Sequence, residues 1–230
     1  SGCGKSTLLY ILSTMDTDYE GKLYLNDELI TNKTPQELAL IRNEQIGFVF
    51  QFHYLLPEFS VLDNVILPAR KLGRKPMSEI RKDGYEKLEL LGIASQADKK
   101  ANALSGGQKQ RLALGRALAE IPDLLLLDEP FSQIDLMNKF EIENRLYDYL
   151  NRYGITTIMV THDYQDAFLM SDRILIMDNG KILRDVNKKK LYSGPLTNYE
   201  AMITGGYNQI EQEGQLFNFR FNEFTFEKRG

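Results

Sequence analysis

Ser1-Gly-Cys-Gly-Lys5-Ser6-Thr7 places glycines, a lysine and hydroxyls together in seven residues, a composition suited to gripping phosphate. Small residues let backbone N–H groups approach phosphate oxygens, and a helix starting at that point aims its dipole at the same anion. Gly2, Cys3 and Gly4 would supply such N–H groups. Lys5 would pair with β and γ phosphates, and Ser6, followed by Thr7, offers the hydroxyl that such loops place on Mg²⁺. Far downstream, the apolar run Leu124-Leu-Leu-Leu127 leads into Asp128-Glu129. A buried parallel strand that ends in two carboxylates delivers them to the edge where open α/β sheets bind ligands. Asp128 suits Mg²⁺, directly or through water. Glu129 suits accepting a proton from, or orienting, a water that attacks the γ-phosphate. Two carboxylates at a strand end can also be a solvated acidic pair, but a phosphate loop upstream favours catalysis.

His162 ends a second apolar run, residues 155–160, where an imidazole could hydrogen-bond the γ-phosphate. With two histidines and one cysteine in the chain, zinc has no support, and His53 is read as a surface residue. Cys3, within the phosphate loop, is read as a small filler whose thiolate the loop and Lys5 would favour. Ser105-Gly106-Gly107-Gln108 is a second anion-binding element, in which two glycines expose N–H groups beside a serine hydroxyl at a helix start. One nucleotide does not need two such loops. The economical solution is a twofold dimer in which each subunit offers its second loop to the ATP held by the other.

Elements that position these residues are legible around them. Residues 7–13 read as the helix leaving the phosphate loop, apolar on several sides and expected to be buried. Residues 22–25 and 28–30 flank Asn26-Asp27 as a hairpin, and Thr34-Pro35-Gln36-Glu37 is a capping box with proline in the first turn. Residues 46–50 form a strand ending at Gln51. From 52 to 103, Pro57, Pro68 and Pro76 punctuate helical segments at 60–72 and 77–91, an inserted helical subdomain. An α/β alternation then follows: helix 108–119, strand 124–127, helix 136–152, strand 155–160, helix 164–170, strand 173–177, and a hairpin at Asn179-Gly180. Near-continuous apolar strands predict a parallel sheet covered on both faces. Past Gly205, Phe217, Phe219, Phe221, Phe224 and Phe226 near-alternate with polar residues, a strand pattern with one apolar face.

The chain has 230 residues, 43% of them hydrophobic, enough for a real core. No apolar run approaches the ~20 residues needed to cross a bilayer, so the chain is expected to be soluble itself. A net charge of −4 argues against a nucleic-acid partner. The single cysteine fits a reducing compartment.

These motifs resemble those of the ATP-binding-cassette (ABC) ATPases, the nucleotide-binding subunits of ABC transporters. The resemblance runs from Ser1 to about Ile203, and Leu104-Ser-Gly-Gly-Gln108 matches the family signature in full. It implies an α/β P-loop NTPase (RecA-like) fold, with a mainly parallel sheet and an inserted helical subdomain. The expected division is a core of 1–51 and 104–186, a helical subdomain of 52–103 ending at the signature loop, and a tail of 187–230. By resemblance Gln51 senses Mg²⁺ and γ-phosphate, Glu129 is the catalytic carboxylate, and His162 is the switch histidine. Ser132-Gln-Ile-Asp135 would communicate across the dimer, with Asp135 at the nucleotide.

The implied partners are a second cassette, identical or paralogous, and transmembrane permease subunits whose coupling helix would dock after Gln51. The implied location is the cytoplasmic face of the membrane. On direction, residues 47–69 resemble the lipoprotein-release exporters, whereas 125–135 and 161–173 look more like importers, and importer character is slightly favoured. The full phosphate-loop pattern has one more glycine, which would precede Ser1, and a strand running into it. As a stand-alone chain, these residues are therefore expected to lack the N-terminal strands, bind ATP weakly and present an aggregation-prone sheet edge.

Overall fold

The computed structural model describes residues 4–193, 208–212 and 215–219. They divide into two compact units, one of residues up to 162 with 178–181, the other of 163–177 and residues from 182 onward.

In the first unit, Gly4 at φ 84° leads into α1 (Lys5–Leu12). Glycine adopts that left-handed backbone freely, whereas an L side chain there costs about 1 kcal/mol or more. β1 (Tyr24–Leu25) and β2 (Glu28–Leu29) pair antiparallel around Asn26 and Asp27, at φ 49° and 63°. Positive φ at both turn positions matches the twist that a two-residue hairpin requires. α2 (Pro35–Glu44) begins with the expected capping box: Glu37 N–H donates to Thr34 Oγ1, and Thr34 N–H donates to the Glu37 carboxylate at 2.7 Å.

The sheet of this unit is parallel, with β4 (Leu124–Asp128) between β3 (Ile46–Val49) and β5 (Thr156–Val160). Ile46 faces Leu124 and Leu124 faces Thr156; Val49, where β3 ends, stands level with Leu127 and Met159, one residue before β4 and β5 end. All of β4 is buried. One core cluster joins Leu9 of α1, Ile30, Leu38 and Ile41 of the hairpin–α2 region, and Ile46, Leu124 and Leu126 of the sheet. Of α1, only Leu9 is fully buried, less than its apolar pattern predicts; among the described residues the sheet over which it lies is three strands wide.

α3 (Val61–Leu72) and α4 (Met77–Leu90) occupy the interval read as a helical insert. Their approach depends on Gly84, where a Cβ would fall 2.4 Å from Ile66 Cγ2. Pro68, read as punctuation, instead lies inside α3. Proline forfeits one helical hydrogen bond. The buried face formed by Val61, Leu62, Val65, Ile66 and Ala69 carries the helix past it. α5 (Gly106–Ala117) then packs on α3 and on β3. At β3, Gly47 has room for no side chain, since a Cβ would meet Ala117 O at 2.5 Å. α6 (Leu136–Tyr153) follows, closed by Gly154 at φ 64°.

The second unit contains α7 (Tyr164–Met170), α8 (Lys188–Ser193) and all but the facing end residues of β6 (Arg173–Asp178) and β7 (Lys181–Asn187), with Ile176, Val186 and Leu191 at its core. Asn179 and Gly180, at φ 47° and 75°, make the expected tight turn between β6 and β7. β8 (Asn208–Gln212) pairs antiparallel with β9 (Gln215–Phe219), the latter carrying Phe217 and Phe219 of the alternating tail. Phe221, Phe224 and Phe226 lie outside the described residues. Among the described residues, no helix is long and apolar enough to cross a membrane.

Candidate nucleotide site

Parallel register brings the chemistry to one edge. Val49 faces Leu127 and Asp128 faces Val160, so Gln51, Glu129 and His162 all lie just beyond the carboxyl ends of neighbouring strands. Open α/β sheets bind ligands at this edge. α1 starts beside it, and a hydrogen bond links Ser6 to the buried Asp128 carboxylate. Burial pushes the Asp128 carboxyl up from its ordinary value and Glu129 adds to this, while the Ser6 bond and the Lys5 charge oppose it. Lys5, Ser6, Asp128 and Glu129 therefore form one electrostatic group. Gly2 and Cys3 lie outside the described residues, and Thr7 is exposed on the first turn of α1.

Glu129 leaves β4 in a turn at φ 51°, with its N–H still bonded to Val160 O at 2.9 Å. Its Oε1 is 3.0 Å from His162 Nδ1. The imidazole is 73% exposed and Glu129 24%, so the histidine can reach outward while the carboxylate is sheltered. Beyond Glu129 the loop is anchored by Phe131, which is fully buried. Asp135 caps α6, accepting from Asn138 N–H and from the Asn138 side chain. The Asn138 bonds, side chain first, hold the Asp135 carboxyl below its ordinary value.

Ser105 and Gln108 form a capping box at the start of α5: Gln108 N–H donates to Ser105 Oγ at 3.3 Å, and Ser105 N–H donates to Gln108 Oε1 at 3.0 Å. Gly106 and Gly107 are the first helical residues, so their N–H groups belong to the first turn, which has no intrahelical acceptors. The glycines have a second role that was not legible beforehand. A Cβ on Gly107 would lie 2.8 Å from Gln133 O, so the signature loop can rest directly on the loop that follows Glu129.

Three further residues escaped sequence reading. Arg116, half-buried on α5, donates to Tyr54 O at 2.6 Å and to His53 O at 2.8 Å. Asn64 is fully buried on α3; it accepts from Leu56 N–H at 2.8 Å and donates to Leu56 O at 3.0 Å. Together they hold the segment after Gln51, with Tyr54 packed edge-on against Phe50. Gln110 is the third, with its amide spent on the backbone after Asp128. Only a polar residue among apolar helix positions hints at these partners. His53 differs from the surface reading: it is half-buried, its Nε2 is inaccessible and unpaired, and burial with Lys109 and Arg116 pushes its pKa down.

The donor set suits Mg²⁺. No cluster of three or more His, Cys, Asp or Glu occurs among the described residues, but Ser6 and Asp128 offer a hydroxyl and a carboxylate side by side. Mg²⁺ binds in that way, through one or two protein oxygens with substrate phosphates and water completing its shell.

Comparison with known proteins agrees with this geometry. The ABC transporter family model matches residues 1–132. The chain is 42% identical over 188 residues to the lipoprotein-releasing system ATP-binding protein LolD of Aquifex aeolicus, covering 82% of this chain and 83% of that one. It is 38% identical over 208 residues to the spermidine/putrescine import ATP-binding protein PotA of Borreliella afzelii, covering 90% of this chain and 58% of that one. Among solved structures, an ATP-binding cassette captured as a dimer in a post-hydrolysis state with ADP and Pi superimposes with a TM-score of 0.76, at 36% identity and 81% coverage of both chains. A phosphate-gripping helix start, a carboxylate pair at the sheet edge and a complete signature loop thus agree with family, relatives and fold: the chain belongs to the ABC transporter family, as an ATP-binding subunit that hydrolyses ATP to drive transport.

Proposed function

We propose that the chain acts as one half of an ATP-closed dimer, with the residues of the sheet edge in distinct roles. Lys5 and the first turn of α1 hold the phosphates, Ser6 and Asp128 hold Mg²⁺, and Gln51 reports the state of the γ-phosphate to the segment after it. When bound, Mg²⁺ withdraws charge from the phosphate oxygens and orients them. Glu129 accepts a proton from the attacking water, and His162 donates to the γ-phosphate oxygens. Ser105, Gly106, Gly107 and Gln108 of each protomer close over the nucleotide of the other, with Asp135 beside them. Closure drives transmembrane permease subunits docked after Gln51, at the cytoplasmic face of the membrane. The observation that carries this reading is the 3.0 Å pairing of Glu129 with His162 beside the Ser6–Asp128 bond.

The test is size-exclusion chromatography with ATP. Glu129→Gln should abolish turnover and accumulate an ATP-bound dimer that wild-type protein forms only transiently. A Glu129→Gln variant that binds ATP and stays monomeric would overturn the dimer and its shared sites.

For direction of transport, the LolD relative is more identical than the import relative, 42% against 38%, and is covered over more of its own length. This supports a release or export partner over the importer character of the short segments at 125–135 and 161–173. Co-purification with a permease of one class or the other decides it.

A further inference from the structure

Gln110 sits one turn into α5, and nothing in the roles above uses it. Its side chain is buried, the residue being 1% exposed. Nε2 donates to Glu129 O at 2.7 Å and lies 3.4 Å from Ser132 Oγ, while Oε1 accepts from Gln133 N–H at 2.8 Å. The amide orientation follows from its partners, because a carbonyl can only accept and a backbone N–H can only donate. Both ends of one buried side chain are thus committed to the loop that carries the catalytic carboxylate.

That loop needs holding. Glu129 stands at φ 51°, a left-handed backbone that disfavours an L side chain. It persists because its N–H is bonded to Val160 O, while its carbonyl collects Gln110 Nε2, Ser132 Oγ at 3.0 Å and Ser132 N–H at 3.3 Å. Of these donors, only Gln110 comes from another element. The contact is reinforced four residues or fewer away, where Gly106 and Gly107 lie so close to Gln133 that a Cβ on either would approach it to 2.8 Å.

We infer that Gln110 is a positioning residue that locks the backbone of Glu129 to the helix whose first turn is the signature loop of the same chain. The consequence for a dimer, which rests on the shared-site reading above, is a link between its two sites. The signature loop closes on the partner's nucleotide, α5 is steadied by that contact, and Gln110 passes the constraint to the Glu129 of its own protomer. Each site then hydrolyses with its carboxylate set by whether the opposite nucleotide is engaged.

The test compares purified wild-type protein with Gln110→Glu and Gln110→Met. Glutamate keeps the length and an acceptor for Gln133 N–H but sets a carboxylate against Glu129 O; methionine keeps the length and removes both bonds. Both should lower kcat by about 100-fold, the order expected when a reacting group is displaced by about an ångström, with KM for ATP close to wild type, measured at a temperature where both variants are still folded, since burying unpaired polar groups lowers their Tm. Mixed dimers locate the effect. With Glu129→Gln in one protomer, Gln110→Glu placed on the protomer that retains Glu129 should lower the remaining turnover by about 100-fold, and the reverse placement should lose far less. Equal loss in both placements, or a raised KM with kcat retained, would overturn the inference. A Glu129→Gln protein that binds ATP but never dimerises would overturn the link between sites, whereas a kcat loss in the single Gln110 variants would still uphold the positioning role.

Discussion

β4 and β5 are adjacent parallel strands of equal length, each ending in chemistry, yet they sit in different environments. Every residue of β4 is buried, whereas β5 runs from exposed Thr156 through four half-buried residues. β4 has β3 on one side and β5 on the other; among the described residues β5 pairs only with β4. The endings follow suit, with Asp128 6% exposed and the His162 side chain 73% exposed. A strand sandwiched on both sides fixes its terminal carboxylate in a poorly solvated place, which is why burial dominates the Asp128 shift. A strand covered on one side leaves its terminal imidazole free to swing toward an incoming phosphate. The proposed metal-holding and phosphate-sensing roles thus fall to neighbouring strands of different burial.

The largest expected effect is on packing. Leu126→Ala, at the fully buried centre of β4, should cost about 2–5 kcal/mol, and Ile158→Ala, facing it across the ladder in β5, about half as much. Urea unfolding checks both, and equal losses would erase the contrast between the strands. Next comes catalysis. His162→Ala should slow turnover about 100-fold, the loss of one aimed donor, and leave Tm nearly unchanged because so exposed a ring packs on little. A matching fall in Tm would show that His162 is part of the core.

The smallest effect concerns Asp128, with its sign set by burial. A carboxyl pushed above its unfolded value binds protons more readily in the folded chain than in the unfolded one. Stability is then highest at low pH and falls as pH rises from the ordinary carboxylate value, about 4, through the raised one. In metal-free and nucleotide-free buffer, Asp128→Asn should remove this decline and give a modestly higher Tm at neutral pH, while losing Mg²⁺-dependent turnover. A Tm difference that does not change between acidic and neutral pH would break the assignment.

Local chemistry was readable one residue at a time. The Thr34–Glu37 capping box, the Asn26-Asp27 turn, the glycine-rich helix start at Gly4 and the carboxylates after an apolar run all follow from short-range sterics and hydrogen bonding, which a sequence states outright. These, with the spacing of the signature loop, determined the P-loop α/β fold class, the family and the residues that gather at the sheet edge. Tertiary structure decided what holds those residues. Gln110 reaches a loop 19 residues ahead, Arg116 one 62 residues behind, and His53 is drawn halfway inside by elements distant in the chain. Pro68 continues a helix because the face beneath it is buried. A buried amide or half-buried guanidinium must find partners wherever packing puts them, and that depends on the whole fold, since a hydrogen bond's partner lies across space while a motif lies along the chain.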